Sequence, residues 1–216
     1  MASSRKFVQA ARSADVIADI GTNLGWFTCL AANANPKAQV FGFELDRANY
    51  ELCKRNVSIN QLTNVVLRHA AVSNAPGKMA YGKTDDSNAS AMHRLGNQTG
   101  NLFEVQAITL DEYFRGREYP SLLKIDVEGA EQLVLEGMPK ILQADTVRTI
   151  FIEIHPLWLR NLGGSVPAVM NILSAAGFDV FSLGHRVTNA SEKPVVLSEL
   201  KAIDTGGEML VARRRT

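Results

Sequence analysis

Four short segments hold the residues best suited to chemistry. The first is Val16-Ile17-Ala18-Asp19-Ile20-Gly21-Thr22-Asn23-Leu24-Gly25. An apolar run ends there in an acid and a glycine-containing turn, the setting in which a loop and a helix start can receive a nucleotide. Gly21 permits a tight turn and close backbone approach, and Gly25 is expected to let the following helix pack against a sheet. The second segment, Phe41-Gly42-Phe43-Glu44-Leu45-Asp46, ends a second apolar run in Glu44. An acid at that position can accept hydrogen bonds from both hydroxyls of an adenosine ribose. In the third, Leu122-Leu123-Lys124-Ile125-Asp126-Val127-Glu128-Gly129-Ala130-Glu131, a buried run meets two acids and a glycine. The fourth is Phe151-Ile152-Glu153-Ile154-His155-Pro156. Its Glu153 and His155 lie two residues apart and share one side of a strand. An acid in so apolar a strand is costly unless partnered.

Charge narrows the ligand. A dinucleotide fingerprint, G-x-G-x-x-G, presents a bare helix N-terminus to a pyrophosphate. Here the loop begins on Asp19, and Asn23 replaces the central glycine. A carboxylate there repels phosphate and favours a ligand bearing an ammonium and a sulfonium, as S-adenosylmethionine (SAM) does. Glu44 by itself indicates adenosine, since NAD sites use the same device. The small residues Ala71 and Val72, after a third apolar run, would leave room for an adenine edge.

The elements that must position these groups follow from periodicity. Short apolar runs read as buried parallel strands at Val16–Ile20, Gln39–Glu44, Val65–Ala70, Leu122–Asp126 and Val147–Ile154. Further strands are expected at Phe178–Leu183 and Glu208–Arg213. Amphipathic helices are expected at Leu24–Ala34, from the Asp46 cap to Asn60, from Ala130, and at Val166–Ala176 before Gly177. Alternation of this kind means a doubly wound α/β sheet. In that topology the fourth strand flanks the first, so Asp126 faces the crevice where ligands bind. Between about 75 and 110, the runs Lys78–Tyr81 and Phe103–Ile108 read as an inserted β-hairpin. The polar stretch Gly82–Asn101 between them reads as a loop able to close over a ligand.

Composition agrees with one globular domain over residues 1–216. Lys plus Arg is 23 and Asp plus Glu 22, a near balance that argues against a dedicated nucleic-acid partner. Met1–Arg12 lacks a signal peptide's apolar run, and no stretch approaches the ~20 apolar residues of a membrane span. A cytoplasmic protein is expected, with Cys29 and Cys53 reduced. His69, His93 and His185 stand isolated and are expected to be structural or at the surface. Glu131 is expected as an exposed acid matched to a helix dipole.

Together these motifs resemble the FkbM family of SAM-dependent methyltransferases. The matching pieces are Asp19 to Gly25, the Phe43-Glu44 step, Thr109-Leu110-Asp111-Glu112-Tyr113, and Leu123 to Glu131 continuing to Leu135, Gly137 and Met138. Thr22 stands where the family often has Ala. The resemblance implies the class I methyltransferase (Rossmann-like) fold, a mostly parallel seven-stranded sheet whose last strand is antiparallel. It also implies O-methylation of a small-molecule or sugar hydroxyl. By position, Asp19, Gly21, Thr22, Asn23, Gly25, Glu44, Leu45, Ala71, Val72 and Asp126 are expected to hold SAM.

A hydroxyl acceptor must lose its proton, and a positioned base is worth about 10²–10⁴-fold. Asp126 and His155 are the candidate bases, with Glu128 or Glu153 orienting the base or the substrate. A divalent metal ion at these residues would serve the same end. Spacing on two strands fixes no coordination geometry, so the sequence assigns no metal site. Two other classes share some of these features, a SAM-binding protein without activity and an NAD-dependent oxidoreductase. Asp19 and Asn23 oppose the latter. The oligomeric state is not encoded in these patterns.

Overall fold

The computed structural model describes residues 2–83, 90–93, 102–183, 193–195 and 207–215. A helix α1 (Ala2–Ala11) leads into β1 (Val16–Ile20), α2 (Trp26–Ala34), β2 (Gln39–Glu44), α3 (Arg47–Ile59) and β3 (Val65–His69). Next come β4 (Ala71–Val72), β5 (Gly77–Lys83), β6 (Ser90–His93) and β7 (Phe103–Ile108). The chain continues through α4 (Leu110–Tyr113), β8 (Leu122–Ile125), α5 (Glu131–Glu136), α6 (Pro139–Gln143) and β9 (Thr149–Ile154). It ends with α7 (Pro156–Asn161), α8 (Val166–Ala175), β10 (Phe178–Ser182), β11 (Lys193–Pro194) and β12 (Glu208–Arg214).

Seven strands form the central sheet in the order β10-β12-β9-β8-β1-β2-β3, and the short β11 extends it beside β10. β1, β2, β3, β8 and β9 pair in parallel. β12 runs antiparallel to both β9 and β10. This is the expected class I methyltransferase sheet. The chain steps outward from β1 to β3, then returns to β8 on the other flank of β1. That reversal opens a crevice beyond the carboxyl ends of β1 and β8, the ligand position of open α/β sheets.

The strands at the centre read as unbroken apolar runs because helices cover both faces. Ala18, Ile20, Leu123 and Ile125 pack on the side of α5, α6 and α8. Ile17 and Leu122 pack on the side of α1 and α2. The helix α1 was not evident from hydropathy, because its buried residues form only a narrow stripe of Ser4, Phe7 and Ala11. Phe7 anchors it edge-on to Phe27 at 5.1 Å and to Phe151 at 5.5 Å.

The insertion is larger than a hairpin. It is a four-stranded sheet in the order β4-β7-β5-β6, with β4 parallel to β7 and β5 antiparallel to its neighbours. The third strand of the main sheet ends where the Ala70 N–H bonds the Glu44 carbonyl, and the next two residues join the second sheet. Periodicity cannot register such a change of partner. Most of the Gly82–Asn101 stretch lies outside the described residues, as does His185.

The Thr109–Tyr113 segment is a scaffold. Thr109 caps α4 by accepting from the Glu112 N–H, and Leu110 is fully buried. The Asp111 carboxylate crosses to the start of α6, where it accepts from Lys140 N at 2.9 Å and Ile141 N at 3.0 Å. Asp111→Ala should therefore cost about 1 kcal/mol, the usual worth of a helix cap. Urea denaturation measures this, and an unchanged midpoint would contradict the assignment.

Candidate functional site

The turn after β1 is built by the end of β2. Gly21 N and Thr22 N both donate to the Phe43 carbonyl, at 2.9 and 3.1 Å. Asn23 N donates to Glu44 Oε2 at 2.7 Å, and Asp46 N donates to Oε1 at 2.8 Å. Glu44 is thus clamped by one backbone donor on each oxygen. Gly21 is required here. Its φ is +81°, and a Cβ would lie 1.7 Å from the Asp126 carbonyl oxygen. Gly25 also has positive φ, but its close neighbour is Cys53 of α3, whose sulfur would lie 2.7 Å from a Cβ. It packs helix against helix, not helix against sheet as expected.

A cleft sits over this turn. Among the expected cofactor residues, Gly21, Asn23, Glu44, Leu45, Ala71, Val72 and Asp126 line it, together with Glu128. Asp19, Thr22 and Gly25 lie behind the turn. Asp19 points to the α2 side of the sheet, is 1% exposed, and accepts from Thr28 Oγ1 at 2.6 Å. Burial raises its pKa, against the pull of Lys124 and the Thr28 hydroxyl. Its carboxyl supports the loop from beneath through Thr28. Thr22 is buried against Gly42.

The other wall carries the ionisable cluster. Asp126 follows β8, and its Oδ2 accepts from Lys124 Nζ at 2.9 Å. Burial would raise the Asp126 pKa, but the Lys124 ammonium and His155 outweigh it and hold the carboxyl below its ordinary value. Lys124 is itself buried, its ammonium 4.5 Å from the Phe27 ring centre. Glu128 adopts a left-handed φ of 50° in the loop ahead of α5. Burial raises its pKa, against the charge of His155.

Glu131 corrects the expectation of a surface acid. It begins α5 but is 0% exposed. Its Oε1 accepts from Gly129 N at 2.9 Å and lies 2.9 Å from His155 Nδ1. The other ring nitrogen of His155 stands 3.5 Å from Glu128 Oε2 and 3.9 Å from Glu153 Oε1. Glu153 and His155 do share a side, as the two-residue spacing required. Burial alone would lower the His155 pKa, but Glu131, Glu128 and Asp126 raise it to about 10. With this surround the ring is an imidazolium at neutral pH, its Nδ1 hydrogen-bonded to Glu131 and its Nε2 in ion-pair range of Glu128. Pro156 starts α7, with His155 as its N-cap residue.

The profile of the methyltransferase FkbM domain matches residues 19–180, three quarters of the chain. The chain belongs to the FkbM methyltransferase family. A hexuronic acid methyltransferase, AglP of Haloferax volcanii, is 29% identical over 153 residues, which cover 70% of this chain and 60% of that protein. Methyltransferase sdnD of Sordaria araneosa is 26% identical over 196 residues, covering 76% of this chain and 73% of its own. The match thus spans less than two thirds of the Haloferax protein. Among solved structures, the O-methyltransferase TomG of Streptomyces achromogenes, solved with SAM, superposes with a TM-score of 0.56 at 12% identity. It covers 99% of this chain and 80% of that one. That likeness is one of fold.

Several residues of the cleft and its wall were not assigned a role there from the sequence. Asn49 of α3 lines the cleft three residues beyond the Asp46 cap, a signal that cap spacing alone could have supplied. Lys124, assigned no role from the sequence, and Glu131 are both buried at this wall. The described helices include none long and apolar enough to cross a membrane.

The cleft fits the family's cofactor on its own chemistry. Glu44 presents an acceptor pair held in place by backbone donors, and Gly21 lets the turn lie directly against the Asp126 carbonyl at the cleft. Burial pushes the Glu44 pKa up to about 7, against the hydrogen bonds from Asp46 and Asn23. A raised carboxyl favours the free fold fully below its ordinary value of 4.5, and that contribution is lost as pH rises through about 7. Ligand hydroxyls have the opposite effect, since they donate best to the ionised form. S-adenosylhomocysteine (SAH) should therefore bind roughly tenfold more weakly at pH 6 than at pH 8. Titration calorimetry at both pH values tests this, and stronger binding at pH 6 would contradict it.

Proposed function

We propose that this FkbM domain is a SAM-dependent methyltransferase that methylates a hydroxyl group of a small molecule, and that its acceptor is a sugar. One juxtaposition carries the reading. Glu44, suited to a ribose, and Asp126 with Glu128, suited to an acceptor, open into the same cleft. The name of the Haloferax relative, a hexuronic acid methyltransferase, supports a carbohydrate acceptor.

SAM supplies the methyl carbon and a cationic sulfur that departs as a thioether. Glu44 would receive the ribose hydroxyls, and the small Ala71 and Val72 would admit the adenine edge. Asp126 and Glu128 would face the acceptor and are the groups able to draw off its proton, while the His155 imidazolium beside them orients Glu128. Lys124 keeps Asp126 ionised for that purpose. Holding the reacting groups in line is worth about 7–11 kcal/mol, and assisted proton removal about 10²–10⁴-fold.

The test is transfer of a labelled methyl group from SAM to a panel of neutral and uronic sugars, with Asp126→Asn as control. The expected product is a base-stable methyl ether, formed at least about 10²-fold more slowly by the variant. A base-labile ester would show that the carboxylate is the acceptor and refute hydroxyl methylation. Transfer to none of the sugars, by protein that binds SAH, would refute the sugar assignment.

A further inference from the structure

The Glu128–His155 wall has the composition and orientation of a metal site. Asp126, Glu128 and His155 each offer one donor atom, and the three atoms lie within 4.8 Å of one another. Small side-chain movements bring such donors to the roughly 2.0–2.2 Å that a shared ion requires. Asp126 and His155 directly follow the adjacent strands β8 and β9, and Glu128 reaches the same place from the loop between β8 and α5.

Second, the ring is oriented from behind. Metal-binding histidines characteristically use their second nitrogen to hold a carboxylate. His155 does so with Glu131 at Nδ1, which turns Nε2 toward Glu128. Lys124 engages Asp126 at Oδ2, so the ion would draw on Oδ1.

A third observation is independent of the donors. Glu131 Oε2 is buried and has no hydrogen-bond partner among the described residues. A buried carboxylate oxygen left in that state is costly. Glu128, Glu131 and Glu153 all lie within 4.0 Å of the one imidazole, and Asp126 stands beside them. Among the described residues, three of these carboxylates, Asp126, Glu128 and Glu131, face two cations, Lys124 and His155. Positive charge added at the donors would offset that concentration of negative charge.

We propose that Asp126, Glu128 and His155 bind one divalent metal ion at the wall of the cleft, with Glu131 positioning the imidazole. Two carboxylates and one imidazole suit an ion such as Mn²⁺, which accepts both oxygen and nitrogen. The ion would replace the ring proton at Nε2, which passes to solvent. Placed there, it would meet the acceptor's oxygen and lower the pKa of its hydroxyl. The inference deepens the proposed function and rests on this wall being the acceptor side.

The experiment uses the whole chain, freed of metal by chelation and titrated with MnCl₂. Free Mn²⁺ is followed by electron paramagnetic resonance, and SAH binding is measured on the same samples. One saturable site per chain is expected, weakened about tenfold or more by Glu128→Gln and by roughly 10–100-fold by Glu131→Gln. Glu128 sits in a loop and is partly exposed, so its variant should fold, and a melting curve verifies that. Absence of saturable binding, or binding unchanged by both substitutions, would overturn the metal site. If SAH still binds, the cofactor reading survives that failure. If SAH does not bind, the cofactor reading fails separately.

Discussion

Glu44→Ala is expected to lower the affinity for SAH by about 10²-fold or more. The side chain would contribute two hydrogen bonds from a charged acceptor, each worth roughly 1.5–3 kcal/mol. It also holds the turn. Asn23 N and Asp46 N donate to its two oxygens, so truncation deprives both amides of their partner and loosens the loop that carries Gly21. Glu44→Gln separates these effects, because it keeps the volume and one acceptor while losing the charge. Its affinity should fall between those of the wild type and the alanine variant, and the pH dependence of binding should vanish. Calorimetric titration with SAH reads all three proteins. An alanine variant that binds as tightly as wild type would remove the ribose role from Glu44.

The second large effect concerns stability. Glu131→Ala should destabilise the fold by about 3–5 kcal/mol, the usual consequence of removing one partner from a buried ion pair. It leaves His155 without its Nδ1 partner and Gly129 N without an acceptor. For a chain of this size the melting temperature should fall by roughly 10 °C. An exposed helix-start acid would contribute only about 0.5 kcal/mol. A melting shift of a degree or less would therefore restore the surface reading and contradict the burial seen here.

The contrast between Glu44 and Glu131 marks what is legible in the sequence. Glu44 ends an unbroken apolar run just before a helix cap, so its place on the sheet follows from strand periodicity and topology alone. The same logic places Asp126 beside the first strand and puts Glu153 and His155 on one side. Glu131 begins a helix, where any acid is locally favourable, and nothing local distinguishes a solvated acid from one buried beneath a neighbouring strand. Its partner His155 lies 24 residues away. Asp19 illustrates the reverse case. The motif locates it at the cleft, but the pleat turns its side chain to the opposite face, toward Thr28. The insertion escaped for a related reason. Alternation identifies β5 and β7, whereas the pairing of Ala71–Val72 with β7 is a long-range choice between two sheets.

The most direct test of the cleft is a crystal structure of the chain with SAH bound. The ribose hydroxyls should lie within hydrogen-bond distance of the Glu44 carboxylate, with the adenine beside Ala71 and Val72. The sulfur should face the wall formed by Asp126 and Glu128. Adenosine bound elsewhere, or a ribose without contact to Glu44, would contradict the assignment of this cleft.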